Sequence, residues 1–377
     1  MPPRFLVVAG EASGDLHAAA AVRALRARAP EVELFGMGGS HLRAAGVEIL
    51  YEASEIAVMG ATEVLAKLPR LAGVLRGLAS AAKARRPAAA LLVDIPDFNH
   101  RLARRLRELE IPVIYYVSPM VWAWREGRCR ALARDVRELL CIYPFEEPFL
   151  RERGVNARYV GNPLLDDWIE PGPPLPSLDG TLRLAVLPGS RPTEVARMLG
   201  PMLEAVKLSS AGLRAGGPAR PVEVTIPVAP TIDGAIVQAG LDRAGVVGRL
   251  VEDTSEALRW SEAALVKSGT ATLEACLAER PMVVVYQVSA GSAFIARRVL
   301  RVKNVSLVNL LAGRELVPEL LQKKATPEAM ARALEDVLAR RDELIQGYRE
   351  VRAKLGGPGA AGRVAESLLG ALPPSPR

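Results

Sequence analysis

Leu91-Leu92-Val93-Asp94-Ile95-Pro96-Asp97-Phe98-Asn99 decides the fold. The apolar run Ala89–Val93 reads as a short buried strand, and the strand ends on a carboxylate. In an open α/β sheet, ligands bind outside the carboxyl ends of the strands, so Asp94 is delivered to the edge where chemistry takes place. Pro96 disfavours helix at Ile95 and predicts extended backbone just past the strand. A second apolar run, Ile111–Val117, opens into Ser118-Pro119-Met120-Val121-Trp122-Ala123-Trp124-Arg125 and brings two of the four tryptophans to the same edge. Position alone leaves two roles for Asp94 and Asp97: catalysis, or capping of a turn or helix.

Outward from this stretch, strand-then-helix units recur. Phe5–Ala9 leads into a helix from about Asp15 to Arg28, and Glu33–Met37 into one near Ser40–Ala45. Ala89–Val93 precedes a helix near Asn99–Leu109, Ile111–Val117 one near Glu126–Ala133, and Leu139–Tyr143 and Ala157–Val160 continue the series. This alternation predicts a parallel sheet with helices on both faces. The Pro-rich run Glu170–Gly180 reads as a linker, after which the alternation restarts with Leu182–Leu187 and runs through Val222–Val228, Leu250–Val251, Ala263–Val266 and Met282–Tyr286. The expected organisation is a Rossmann-like domain over 1–168, a linker over 169–181, a second such domain over 182–345, and C-terminal helices over 346–377 that pack back on the first domain or swap to a partner chain.

Composition narrows the class. A chain of 377 residues, half of them apolar, suits two α/β cores, and no apolar run is long enough to span a membrane. The opening apolar run is too short for a signal peptide and reads as the first strand, which predicts a cytoplasmic protein. Three cysteines without a CxxC pair predict reduced thiols, and three scattered histidines offer no metal-ligand spacing, so no metal is expected. The net charge of +7 is concentrated: Lys67 to Arg137 holds fifteen Lys/Arg against six Asp/Glu. Such a face attracts phosphates or anionic lipid, or is solvated surface; the few aromatics and missing nucleic-acid signatures argue against nucleic acid.

Three glycine-bearing turns follow strands. Gly10-Glu11-Ala12-Ser13-Gly14-Asp15 is not a GxGxxG fingerprint, and Glu11 would repel a pyrophosphate, so the turn suits a sugar's hydroxyls or is a tight turn with Ser13 as helix cap. Gly189-Ser190-Arg191 combines close backbone approach, a capping hydroxyl and a planar charged fork, which suits a diphosphate. Ser268-Gly269-Thr270-Ala271-Thr272-Leu273-Glu274 adds backbone N–H groups and a carboxylate for a ribose. Val64–Leu78 places Leu68, Leu71, Leu75 and Leu78 on one helical face among basic residues: a core stripe or a membrane and acyl contact.

In order along residues 9–321 stand AGEASGD (Ala9–Asp15), AVMGATEV (Ala57–Val64), DIPDFN (Asp94–Asn99), YVSPMVWAW (Tyr116–Trp124), LPGSR (Leu187–Arg191), SGTATLE (Ser268–Glu274) and VSLVNLLAGRELVPELL (Val305–Leu321). This set resembles the lipid-A-disaccharide synthase family, inverting glycosyltransferases of the GT-B fold with two doubly wound, Rossmann-like domains facing across a cleft. The resemblance implies condensation of UDP-2,3-diacylglucosamine with 2,3-diacylglucosamine 1-phosphate to a β-1,6-linked lipid A disaccharide phosphate, with UDP released and no cofactor. It implies Asp94 as the base, with Glu11, Glu63 and Asp97 as competitors. It implies substrate contacts from Ser13, Gly14, Asn99, Ser118, Trp122, Gly189, Ser190, Arg191, Ser268, Gly269, Thr270, Thr272 and Glu274, with Asn309, Glu315 and Glu319 completing the nucleotide pocket. It further implies a peripheral enzyme at the inner face of a Gram-negative cytoplasmic membrane, with an anionic membrane surface as partner and a homodimer left open. Asn162 stands where the family often has His. The competing expectation is a UDP-N-acetylglucosamine 2-epimerase-like enzyme of the same fold.

Overall fold

The computed structural model describes residues 2–55, 61–168, 172, 180–210, 221–288 and 304–372, without the side chains of 61–67 and 210. The Pro-rich run and AVMGATEV therefore lie largely outside the described residues. The chain forms two compact units, Met1–Trp168 with Leu355–Arg377, and Ile169–Lys354.

The first unit carries β1 (Arg4–Ala9), β2 (Glu33–Gly38), β3 (Glu48–Glu52), β4 (Ala89–Val93), β5 (Val113–Tyr116), β6 (Glu138–Cys141) and β7 (Ala157–Tyr159). They form one parallel sheet in the order β3-β2-β1-β4-β5-β6-β7. The second unit carries β8 (Leu182–Leu187), β9 (Val222–Pro227), β10 (Val247–Val251), β11 (Ala263–Lys267), β12 (Met282–Tyr286) and β13 (Glu319–Leu321), in the order β10-β9-β8-β11-β12-β13, again all parallel. In each sheet the strand order reverses once, between β1 and β4 and between β8 and β11. Those reversals are where an open α/β sheet leaves a crevice for a ligand.

The central strands β1 and β4 are almost wholly buried, which explains their unbroken apolar runs. The edge strands β3 and β13 escaped the sequence reading because their half-buried segments, EILYE and ELL, carry carboxylates instead of an apolar run. Burial on the Pro96–Glu108 helix falls on Phe98, Leu102, Ala103 and Leu106, spaced to cover one face of the sheet.

Around Pro96 the backbone differs from the expected extended segment. Pro96 is the first residue of the Pro96–Glu108 helix, and Ile95 before it is left-handed at φ 42°. A proline at the first helical turn loses no helical hydrogen bond, so it starts this helix directly after the strand.

On the other face, the Ala12–Arg28 helix presents Ala18, Ala21, Val22 and Leu25 to Val364, Ala365 and Leu368 of the Ala360–Leu369 helix. Small side chains allow this close approach. The Asp166 carboxylate accepts the backbone N–H groups of Gly359, Ala360 and Ala361 at 2.7, 3.0 and 2.8 Å. It thereby satisfies orphan donors at that helix's start. The terminal helix is thus part of the first unit, and all three cysteines are buried and unbonded.

Candidate active site

In the first unit, Ala9 pairs with Val93, so Gly10 and Glu11 leave the sheet beside Asp94. A Cβ at Gly14 would stand 3.8 Å from the Asp94 Cβ, which brings the first turn and DIPDFN together at the strand-order reversal. Asp94 and Ile95 are consecutive left-handed residues (φ 52° and 42°), and Val117 at the end of β5 is a third (φ 64°). Left-handed backbone costs a side-chain-bearing residue about 1–3 kcal/mol and persists only where neighbours hold it. Here the holders are identifiable. The Asp94 carbonyl accepts from Tyr115 Oη at 2.5 Å and Asn99 Nδ2 at 2.8 Å, and Asn99 Nδ2 also reaches the Val93 carbonyl at 3.2 Å. Burial, then the Asp94 charge, pushes the Tyr115 phenol well above its usual range, so it remains a donor.

The remaining first-unit candidates divide. Glu11 is exposed, occupies the N-cap position of the Ala12–Arg28 helix without capping it by side chain, and borders a cleft of about 820 Å³. Ser13 lies inside that helix and is exposed, so its expected capping role is not seen. Glu63 belongs to the Ala61–Arg85 helix, but its side chain lies outside the described residues. Asp97 is exposed and paired with Arg125 at 3.2 Å and with Arg128.

Three further expected contacts are buried. Asn99 is fully buried and serves the Asp94 turn, so it positions backbone. Ser118 is 7% exposed and Trp122 9%, and the Trp122 indole donates to Glu146 Oε1 at 3.0 Å. Glu146 also accepts from the Tyr143 N–H at 3.1 Å, and its burial pushes the carboxyl up to about 8. YVSPMVWAW is therefore anchored from below by a buried acid that the sequence reading passed over. Asn162 uses its side chain within its own turn, accepting from the Leu164 N–H and donating to the Ile142 carbonyl.

The leucine stripe also splits. Leu78 and Leu75 are 0% and 7% exposed in the core, Leu71 packs against it half-buried, and Leu68 is 41% exposed. Leu78 is not a surface contact. Leu68, Leu71 and Leu75 line the cleft together with Ile95, Phe98 and the Arg101–Arg105 face of the next helix.

In the second unit, Leu187 pairs with Val266, which places Gly189-Ser190-Arg191 beside Ser268-Gly269-Thr270 at the other reversal. Gly189 has φ +117°, and a Cβ there would lie 2.5 Å from Glu194 Oε2, so only glycine fits. The two turns are tied by an ion pair, Lys267 Nζ to Glu194 Oε1 at 2.8 Å, both largely buried. Neither residue was singled out from sequence, and both stand just outside the motif runs, Glu194 after LPGSR and Lys267 before SGTATLE. Arg191 is exposed, with Glu194 3.8 Å away. Ser268 Oγ donates to the Val305 carbonyl at 3.2 Å, buried Thr272 donates to the Gly269 carbonyl at 2.7 Å, and Thr270 is exposed. Glu274 is half-buried, and burial followed by the Asp253 charge pushes its carboxyl up to about 7.

Asn309 and Glu319 are bonded to each other and to the surrounding backbone. Asn309 is fully buried, accepts from the Leu316 and Val317 N–H groups at 2.8 and 2.9 Å, and donates to Glu319 Oε1 at 2.8 Å. Glu319 in turn accepts from the Val305 and Ser306 N–H groups. Together they clamp the loop on which Glu315 stands exposed.

Comparison with known proteins bears on this geometry. A family model described as lipid-A-disaccharide synthetase matches residues 5–354. Lipid-A-disaccharide synthase of Myxococcus xanthus (strain DK1622) is 52% identical over 99% of this chain and 98% of its own length. That of Syntrophus aciditrophicus (strain SB) is 40% identical over 97% and 96%. In fold the chain is similar to a UDP-GlcNAc 2-epimerase from Neisseria meningitidis bound to UDP-GlcNAc (TM-score 0.61, 12% identity, 97% and 100% covered). It is also similar to a calicheamicin glycosyltransferase (TM-score 0.59, 16% identity, 98% and 99% covered). These likenesses establish the two-domain α/β architecture of GT-B enzymes.

Proposed function

The chain belongs to the lipid-A-disaccharide synthetase family, and on that premise we propose that it joins UDP-2,3-diacylglucosamine to 2,3-diacylglucosamine 1-phosphate with inversion at the transferred anomeric carbon. The epimerase alternative loses its footing, because its support is likeness of fold at 12–14% identity. Asp94 is the general base: it takes the proton of the acceptor's 6-hydroxyl as that oxygen attacks the anomeric carbon. Supporting this role is its place at the strand-order reversal, on backbone held left-handed by Tyr115 and Asn99. Glu11, which borders the 820 Å³ cleft, orients sugar hydroxyls.

In the second unit, Arg191, the backbone around Gly189 and Ser190 and the start of the Pro192–Ser210 helix stabilise the charge of departing UDP. Ser268, Gly269 and Thr270 frame the diphosphate, Glu274 accepts from the ribose hydroxyls, and exposed Glu315 borders the nucleotide. Fixed charge and backbone donors meet the leaving group's needs, so this mechanism calls for no cofactor. Among the described residues no helix is long and apolar enough to cross a membrane. The reading places the enzyme on the inner face of the cytoplasmic membrane, with Leu68, Leu71 and Leu75 meeting acyl chains at the cleft. A dimer is not required by it.

The observation that carries the proposal is family membership across both units together with Asp94 at the reversal. Its test is turnover of the two acylated substrates in detergent by wild type and Asp94→Asn. Disaccharide and UDP from wild type, with near-complete loss in a folded variant that still binds UDP, is the expected result. Full activity in Asp94→Asn would move the base to Glu11 or Glu63.

A further inference from the structure

Both substrates carry the same acylated glucosamine. They differ at the anomeric position, where one bears a phosphate monoester and the other a diphosphate esterified to uridine. An enzyme that joins them must read that difference, or it would fill its acceptor site with donor.

The cleft of the first unit has the chemistry to do so. One wall is apolar, from Leu68, Leu71, Ala72 and Leu75, and the other is the solvent-facing side of the Pro96–Glu108 helix, with Arg101, Arg104 and Arg105. Arg104 is engaged by Glu108 at 3.3 Å, and Asp97 by Arg125 and Arg128. Arg101 and Arg105 lie one turn apart, so their guanidiniums serve one spot, with about 6 Å of helix between their Cα atoms. Neither has an ion pair among the described residues. Phe98, Leu102 and Leu106 hold the helix in the core, and with 3.6 residues per turn the two arginines flank that stripe, Arg101 exposed and Arg105 half-buried.

Resting on the reaction proposed above, we infer that Arg101 and Arg105 bind the acceptor's anomeric phosphate monoester and so distinguish acceptor from donor. A phosphate monoester offers several charged oxygens to two planar forks, whereas a uridine-esterified diphosphate offers fewer terminal oxygens and more bulk. The helix that carries both arginines begins directly after Asp94. At about 1.5 Å of rise per residue, Arg101 lies about 7–8 Å and Arg105 about 13–14 Å along the helix from Pro96. The leucine wall leaves the acyl chains on the far side of the sugar from these charges.

The experiment uses full-length Arg101→Gln, Arg105→Gln and the double variant, with matched thermal melts to confirm folding. Kinetics are measured with the acceptor, with the same acceptor lacking its 1-phosphate, and with the donor varied. Vesicles of phosphatidylcholine with phosphatidylglycerol report membrane binding by sedimentation. The acceptor KM should rise about 10- to 100-fold in the double variant, with the donor KM within about twofold. The wild-type preference for the phosphorylated acceptor should collapse. Equal losses with both acceptors, or unchanged kinetics with weakened vesicle binding, would overturn the inference and assign the arginines to general electrostatics or the membrane. Absence of any disaccharide from wild type would instead overturn the parent reaction.

Discussion

The two units solve one topological problem by different means. Each sheet reverses its strand order once and opens a crevice there. In the first unit the crevice is framed by side-chain-bearing residues in left-handed backbone, Asp94, Ile95 and Val117, held by buried donors. In the second it is framed by the Lys267–Glu194 pair, which joins two turns, and the left-handed residues just past β8 and β11 are glycines, Gly189 and Gly269. The difference matches the roles proposed for them. Chemistry needs one side chain held at one place, and a diphosphate needs backbone close enough to donate its N–H groups.

The sharpest break in this comparison is Asp94→Asn, which should lower kcat by about 10²–10⁴ while calorimetric UDP affinity stays unchanged, since the proposal assigns the nucleotide to the other crevice. Gly189→Val should do the reverse. Its Cβ meets Glu194 and its φ disfavours a β-branched residue, so UDP affinity should drop by about tenfold or more, measured by calorimetry. Retained UDP affinity in that variant would contradict close backbone approach.

Tyr115→Phe is the finer probe. It removes one of two donors to the Asp94 carbonyl, and should lower kcat by about tenfold with KM little changed, at a stability loss of about 1 kcal/mol. Equal stability loss without a kcat effect would make the phenol structural only.

The smallest effect concerns Glu146. Its folded pKa, about 8, lies above the ordinary 4.5, so its contribution to stability is full below about 4.5 and is lost as pH rises through about 8. Glu146→Gln should flatten the decline in urea midpoint between pH 5 and pH 8.5. An unchanged slope would mean that the acid does not titrate in the folded protein.

Much of this was legible in sequence because buried parallel strands are unbroken apolar runs and strand-to-helix turns concentrate glycine and hydroxyl residues. Ala89–Val93 and Leu182–Leu187 coincide with β4 and β8. What sequence could not separate was polar residues that touch a ligand from those that hold a loop. Asn309, Glu319 and Trp122 all stand in motif runs, yet each uses its polar atoms on the protein itself, as Asn99 does with its Nδ2. The hydrogen-bonding capacity that suits a substrate also satisfies a buried turn, and only burial tells the two apart. Leu78 shows the same ambiguity for apolar residues, since a helical stripe is equally a core face.

The cap that Asp166 places on the Ala360–Leu369 helix has a consequence for biosynthesis. Because that helix packs on the Ala12–Arg28 helix, a unit begun before the second one is completed only by residues translated after it. The second unit is, in topology, an insertion within the first, and its local contacts are all available before the first unit can close. On the ribosome the second unit can therefore mature while the unit bearing Asp94 still shows an uncovered alanine-bearing helix, a window in which a chaperone has a defined surface to shield.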